Sequence, residues 1–184
     1  MDFEHVGNAQ CFELVNSVPD RIEGGDRDWL GDEDTARAWA QSLGLGPVRE
    51  LTGEELADLR SFRESVFAVF AAVAEGNAVP AEGLQVVTDA HASGLSQFGY
   101  GPTTTGVARE WPDVWDADSL TALFAESAID ELTGSRLDRV KSCPGCRWLF
   151  IDTTRNRSRR WCSMSMCGGR DKALRHYRNT RAQH

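Results

Sequence analysis

No apolar run in this 184-residue chain approaches the roughly eighteen residues needed to span a bilayer, and its start lacks the basic, apolar and small-residue order of a secretory leader. A cytoplasmic protein with no membrane partner is the expectation. Cysteine is scarce: of five, only Cys11 stands outside the last quarter. Its apolar surroundings, Cys11-Phe12-Glu13-Leu14-Val15, suggest a small buried hydrophobe. Lysine is missing from the first 138 residues, so the use of arginine there and later carries no information about base recognition. No Ser-His-Asp, Cys-His or paired-carboxylate arrangement stands out by spacing, because acidic residues are too abundant for any pairing to be singled out.

The net charge of −8 conceals two opposite parts. From Arg139 onward, twelve Lys and Arg face only Asp152 and Asp171, a net of +10, whereas residues 1–138 carry eight basic and twenty-six acidic residues, a net of −18. Such asymmetry points to an anionic partner for the basic part. Two domains are expected: an acidic one over 1–138, suited to effector binding or dimerisation, and a basic module over 139–184, too small to fold on its core alone.

The acidic part reads as mainly helical. Asp32 to Thr35 supply a cap and first turn, and Ala36, Trp39, Ala40 and Leu43 then recur at helical spacing up to Gly44. Thr52-Gly53-Glu54-Glu55 has capping-box form, followed by a stripe from Leu56 to Val73 that ends at Gly76. Pro80 can open a third helix, and Asp118 can cap a fourth that stops at Gly134. Between them, Ser96 to Trp111 lose the helical period and read as a small β-hairpin or an irregular loop. Asn16, Arg21 and Trp111 are candidates for lining a small-molecule pocket, since such sites combine aromatic walls with a few oriented polar groups.

The last quarter carries Cys143-Pro144-Gly145-Cys146, fifteen residues, and then Cys162-Ser163-Met164-Ser165-Met166-Cys167. Four cysteines at this spacing suit a closed tetrahedral zinc site with no open position for catalysis, iron or a redox disulfide pair being the alternatives. The stretch Arg147 to Trp161 is expected to form a hairpin returning the chain to the second pair, with Cys167 at the start of a following helix that turns Ala173, Leu174 and Tyr177 inward. Arg155, Arg157, Arg159, Arg160, Arg170, Lys172, Arg175 and Arg178 would then form a surface for the phosphates of double-stranded DNA. The competing reading docks this surface on the chain's own acidic part.

Cys143-x-x-Cys146, Leu149-Phe150-x-Asp152, Arg155-Asn156-x-Ser158-Arg159-x-Trp161-Cys162-Ser163-Met164 and Cys167-Gly168-Gly169-Arg170-x-Lys172 resemble the CGNR zinc-finger family. The helical part, including Leu14-Val15-Asn16-Ser17, is similar to the ABATE domain that precedes this finger. The resemblance implies a bacterial, stress-linked transcription regulator, with Cys143, Cys146, Cys162 and Cys167 as ligands of a structural Zn²⁺. Gly169 stands where the family motif has Asn.

The expected architecture is thus a mainly α helical N-terminal domain with a minor β-hairpin, followed by a small zinc-ribbon-like finger built from a β-hairpin and a helix. A regulator that binds DNA and senses a small-molecule effector or forms a homodimer is the leading reading. An enzyme or small-molecule binder scaffolded by the finger, and a protein or RNA adaptor, are the alternatives.

Overall fold

The structure is a computed structural model and describes residues 3–22 and 27–181. Among the described residues the chain forms six helices and two antiparallel strand pairs. No helix among them is long and apolar enough to cross a membrane.

A short α1 (Gln10–Val15) sits at the centre, with Cys11, Phe12, Leu14 and Val15 all fully buried. Burial pushes the Cys11 thiol up to about 12, so it packs as a neutral hydrophobe. Helix α2 (Glu33–Ser42) starts where the Asp32 side chain accepts from Thr35 N, and Gly44 takes a left-handed φ of 77° just past its end. Helix α3 (Gly53–Glu75) is the longest; Thr52 and Glu55 close the expected capping box, and Gly76 at φ 70° ends it.

Helix α4 (Ala81–Gln97) follows Pro80 and leads into the strands β1 (Tyr100–Pro102) and β2 (Val107–Arg109), which pair as a small hairpin. Helix α5 (Ala117–Thr133) begins two residues earlier than the sequence suggests. Asp116, not Asp118, is its cap, because Ser119 three positions on returns a bond to the Asp116 backbone. Gly94 lets α4 and α5 approach closely: a Cβ there would meet the Ala122 Cβ at 2.7 Å.

The basic part departs from expectation in two ways. Its hairpin does not lie between the cysteine pairs; it straddles the first pair, with β3 (Val140–Ser142) antiparallel to β4 (Leu149–Ile151). The stretch from Asp152 to Trp161 is irregular, tied down by side chains. The final helix α6 (Gly169–Arg181) buries no residue, and Leu174 and Tyr177 are 49% and 58% exposed, so they do not face inward.

The division near residue 138 does not separate two cores. One continuous apolar cluster runs from Phe12, Trp39 and Phe70 through Trp148, Leu149 and Ile151 to the four cysteines. The all-apolar β4 reflects this, since a strand covered on both faces loses the alternation of an exposed sheet.

Candidate metal centre and nucleic-acid interface

Between β3 and β4 the Cys143-Pro-Gly-Cys146 turn folds back on itself, with Cys143 N donating to Trp148 O at 2.8 Å. Gly145 stands where a Cβ would lie 3.2 Å from the Cys167 sulfur, so the turn needs its lack of a side chain. Cys162 precedes a wide π turn (Met164–Gly168) in which Gly169 N bonds Met164 O five residues back. Ser163 caps this extra-wide turn, and the turn itself carries Cys167 and ends at Gly168, against the start of α6. The sequence placed Cys167 at the helix start, and the structure puts it two residues ahead.

The four sulfurs lie within 4.8 Å of one another, all in buried residues, and Cys146 Sγ is 3.6 Å from Cys162 Sγ. A tetrahedral Zn²⁺ with bonds of about 2.3 Å separates its sulfurs by about 3.8 Å, so this spacing fits the ion. Thiols packed this closely cannot all ionise unless a cation sits among them. Hydrogen bonds from Cys146 and Cys162 drive Cys143 down, while the contact with Cys143, helped by burial, pushes Cys162 up to about 12. A divalent ion bound by four thiolates resolves that conflict and leaves no position for a reacting water.

Asp152 organises the loop between the cysteine pairs. It is fully buried and accepts from Lys141 Nζ at 2.6 Å, Thr154 Oγ1 at 2.6 Å, and the backbone N–H of Thr154 and Arg159 at 2.9 Å each. Burial alone would raise its carboxyl, but these donors hold it well below the usual carboxylate range. Lys141 adds bonds to the Arg157 and Arg159 carbonyls, so all three of its donors work inside the protein.

The eight cations expected to meet DNA fall into three groups. Arg159 points inward: its guanidinium stacks on Phe150 at 4.3 Å and donates to the carbonyls of Val6, Trp161 and Cys162. Arg157, Arg170 and Arg175 are exposed but ion-paired, with Asp138, Asp20 and Asp171 respectively. Arg155, Lys172 and Arg178 are exposed with no ion-pair partner among the described residues, and Arg160 covers the Trp161 ring at 5.0 Å. The acidic part therefore neutralises only the near side of the basic surface, through Arg147–Glu75, Arg157–Asp138 and Arg170–Asp20.

The candidate ligand residues sit differently. Asn16 is fully buried, its Nδ2 donating to Leu149 O and its Oδ1 accepting from Leu149 N, both at 2.9 Å. Arg21 stacks on Phe67 at 4.0 Å, pairs with Glu64 at 2.7 Å, and its backbone N–H donates to Cys146 O. Asn16 reaches the metal module with its side chain, Arg21 with its backbone alone. Trp111 has other neighbours, its ring against Phe98 at 5.6 Å and Trp115 at 5.2 Å. The structure thus gives Asn16 and Arg21 partners in the finger and does not group them with Trp111.

Residues that join the two parts were not evident from the sequence. Trp148 Nε1 donates to Val18 O at 2.6 Å, Ile151 N to Gly7 O at 2.9 Å, and Asn8 Nδ2 to Ile151 O at 3.0 Å. Asn8 holds a left-handed φ of 63°, which Asn tolerates better than most residues; a Gly-Asn pair is the one local signal that could have flagged this turn.

Residues 139–180 match the CGNR zinc finger, and residues 8–135 match ABATE, described as a putative stress-induced transcription regulator. No curated protein matches the chain. The four cysteines are accordingly a structural zinc site, and the chain belongs to the ABATE family, with a CGNR zinc finger at its C-terminal side.

Proposed function

We propose that this protein is a cytoplasmic bacterial regulator whose zinc-stapled basic face grips duplex DNA, while the helical part receives an effector or pairs with a second copy. The observation that carries this reading is α6. It buries nothing, leaves the body of the protein after Arg170, and carries Lys172, Arg175, Arg178 and Arg181 into solvent. An α-helix of this kind fits a major groove, where Arg can contact phosphates or guanine edges.

Arg155 and Arg160 extend the same charge on the loop preceding Cys162. Arg157, Arg170 and Arg175 can exchange a carboxylate partner for a phosphate. Arg159 stays outside the contact set, since its guanidinium is already spent on three carbonyls. Zinc acts here through shape: it fixes the knuckle, the π turn and so the direction of α6.

The test is an isotherm on the duplex upstream of the protein's own gene at two salt concentrations. Affinity should fall steeply with salt, and Arg175→Glu with Arg178→Glu should lower the log–log slope by about 2. Unchanged duplex binding in that double variant contradicts the proposed face, and preference for single-stranded competitor favours an RNA adaptor.

A further inference from the structure

A cleft of about 500 Å³ opens between the segment preceding α1, α1 itself and the C-terminal end of α2, lined by His5, Asn8, Gln10, Glu13, Ser42 and Leu43. Its polar groups form a row: Ser42 Oγ to His5 Nε2 at 2.8 Å, and His5 Nδ1 to Glu13 Oε2 at 3.4 Å. The order nucleophile, base, acid invites a catalytic reading. Two facts oppose it. The Ser42 hydroxyl donates to Trp39 O at 2.6 Å, and Ser42 ends α2, where the negative pole of the helix disfavours an alkoxide.

What remains is a cleft rich in acceptors and poor in donors. Glu13 is 8% exposed; its Oε1 takes the Gly7 N–H at 2.8 Å, the Asn8 backbone also meets its carboxylate, and its Oε2 has a long contact to His5. Gln10 Oε1 is buried with no hydrogen-bond partner among the described residues. The last turn of α2 carries no basic residue to meet its carbonyls. A buried carboxylate, an orphaned carbonyl oxygen and a helix C-terminus all favour a positive, multiply donating group. Burial pushes the Glu13 carboxyl up, a cost that an arriving cation removes.

We propose that this cleft binds a small organic ammonium compound, its N–H donors shared between Glu13 Oε2 and Gln10 Oε1. The segment forming one wall also edges the finger. Val6 O holds Arg159, Gly7 O accepts from Ile151 N, and Asn8 reaches Ile151 O, while Gly7 N rests on the same Glu13 carboxylate. Occupancy at Glu13 therefore bears directly on β4 and on the loop that carries Arg160. This second step rests on the regulator reading above.

The experiment is an amide-resolved NMR titration of the zinc-loaded full chain with butylammonium chloride, with butanol and butyrate at matched ionic strength as neutral and anionic controls. Butylammonium should shift amides of residues 5–13 and 41–44, and neither control should. Glu13→Gln, which keeps an acceptor for Gly7, should weaken the response at least about tenfold, and Gln10→Leu, at a partly exposed position, should weaken it less. An absent response, or one equal across the three probes or unaltered in both variants, overturns the cleft. Duplex affinity measured with and without butylammonium decides the coupling: a change lost in Glu13→Gln supports it, and indifference overturns it. Complete lack of duplex binding would instead sink the regulator reading, while the titration still judges the cleft.

Discussion

Asn16 holds Leu149 by both ends of its amide, Nδ2 to the carbonyl and Oδ1 from the N–H, each at 2.9 Å. This side chain imitates a neighbouring β-strand. In a two-stranded sheet β4 would otherwise leave one edge unpaired, and here that edge is buried. Replacing Asn16 with Leu keeps the volume but strands two buried backbone groups. At about 1–3 kcal/mol each, the loss should be roughly 2–6 kcal/mol in urea unfolding. A loss under about 0.5 kcal/mol would mean that Leu149 finds other partners.

Arg159 and Arg160 are neighbours with opposite duties. Arg159→Lys abolishes a planar fork that serves the Val6, Trp161 and Cys162 carbonyls, so it should cost about 2 kcal/mol of stability despite keeping the charge. Arg160→Ala should leave stability within about 0.5 kcal/mol and weaken duplex binding. Thermal unfolding and a DNA isotherm on both variants separate the two roles.

Asp152 has a depressed carboxyl in the folded state, so the unfolded chain binds its proton first as the pH drops. Its contribution is complete above the unfolded value of about 3.9 and is lost as pH falls through the folded one. Asp152→Asn should therefore cost about 3 kcal/mol at pH 7, where it leaves Lys141 short of its charge partner. The gap to the wild type should narrow below about pH 4, measured by urea unfolding at several pH values. A gap independent of pH would contradict the ion-pair account.

Glycines around the metal differ in what a side chain would strike. At Gly145 a Cβ meets Cys167 Cβ and Sγ at 3.1 and 3.2 Å, atoms that a bound zinc holds still. Gly145→Ala should lower zinc affinity about tenfold or more. At Gly169 the near atom is Met164 O at 3.2 Å, in a turn that can yield slightly, and the backbone is ordinary right-handed helix. Gly169→Asn, which supplies the residue of the family motif, should keep zinc and change stability by no more than about 1 kcal/mol. Competition with a chromophoric chelator measures both.

Local chemistry was legible in the sequence wherever it closes over a few residues. The Thr52–Glu55 capping box, the Gly44 and Gly76 stops and the four-cysteine pattern all carry their physics within one or two turns. The α5 cap was placed at Asp118, two residues late, because the reciprocal bond between Asp116 and Ser119 that sets the start leaves no apolar period to read. The finger hairpin was misplaced for a related reason. Trp148 to Ile151 read as a strand, but its partner, Val140 to Ser142, lies before the first cysteine and has no strong pattern of its own. Leu174 and Tyr177 have the spacing of an inward face, yet no element among the described residues covers them. The Asn16–Leu149 clamp joins positions 133 apart and leaves no periodic trace.

Zinc is expected to hold finger and helical part as one folding unit, since the apolar cluster is continuous from α1 to the cysteines. Native-state hydrogen exchange of the full chain, with and without zinc removal by a chelator, tests it most directly. Loss of zinc should sharply reduce protection in α1 and in the C-terminal half of α3, which packs on β3, together with that of β4. Protection of α1 and α3 that survives chelation, while only residues 139–181 exchange, would contradict it.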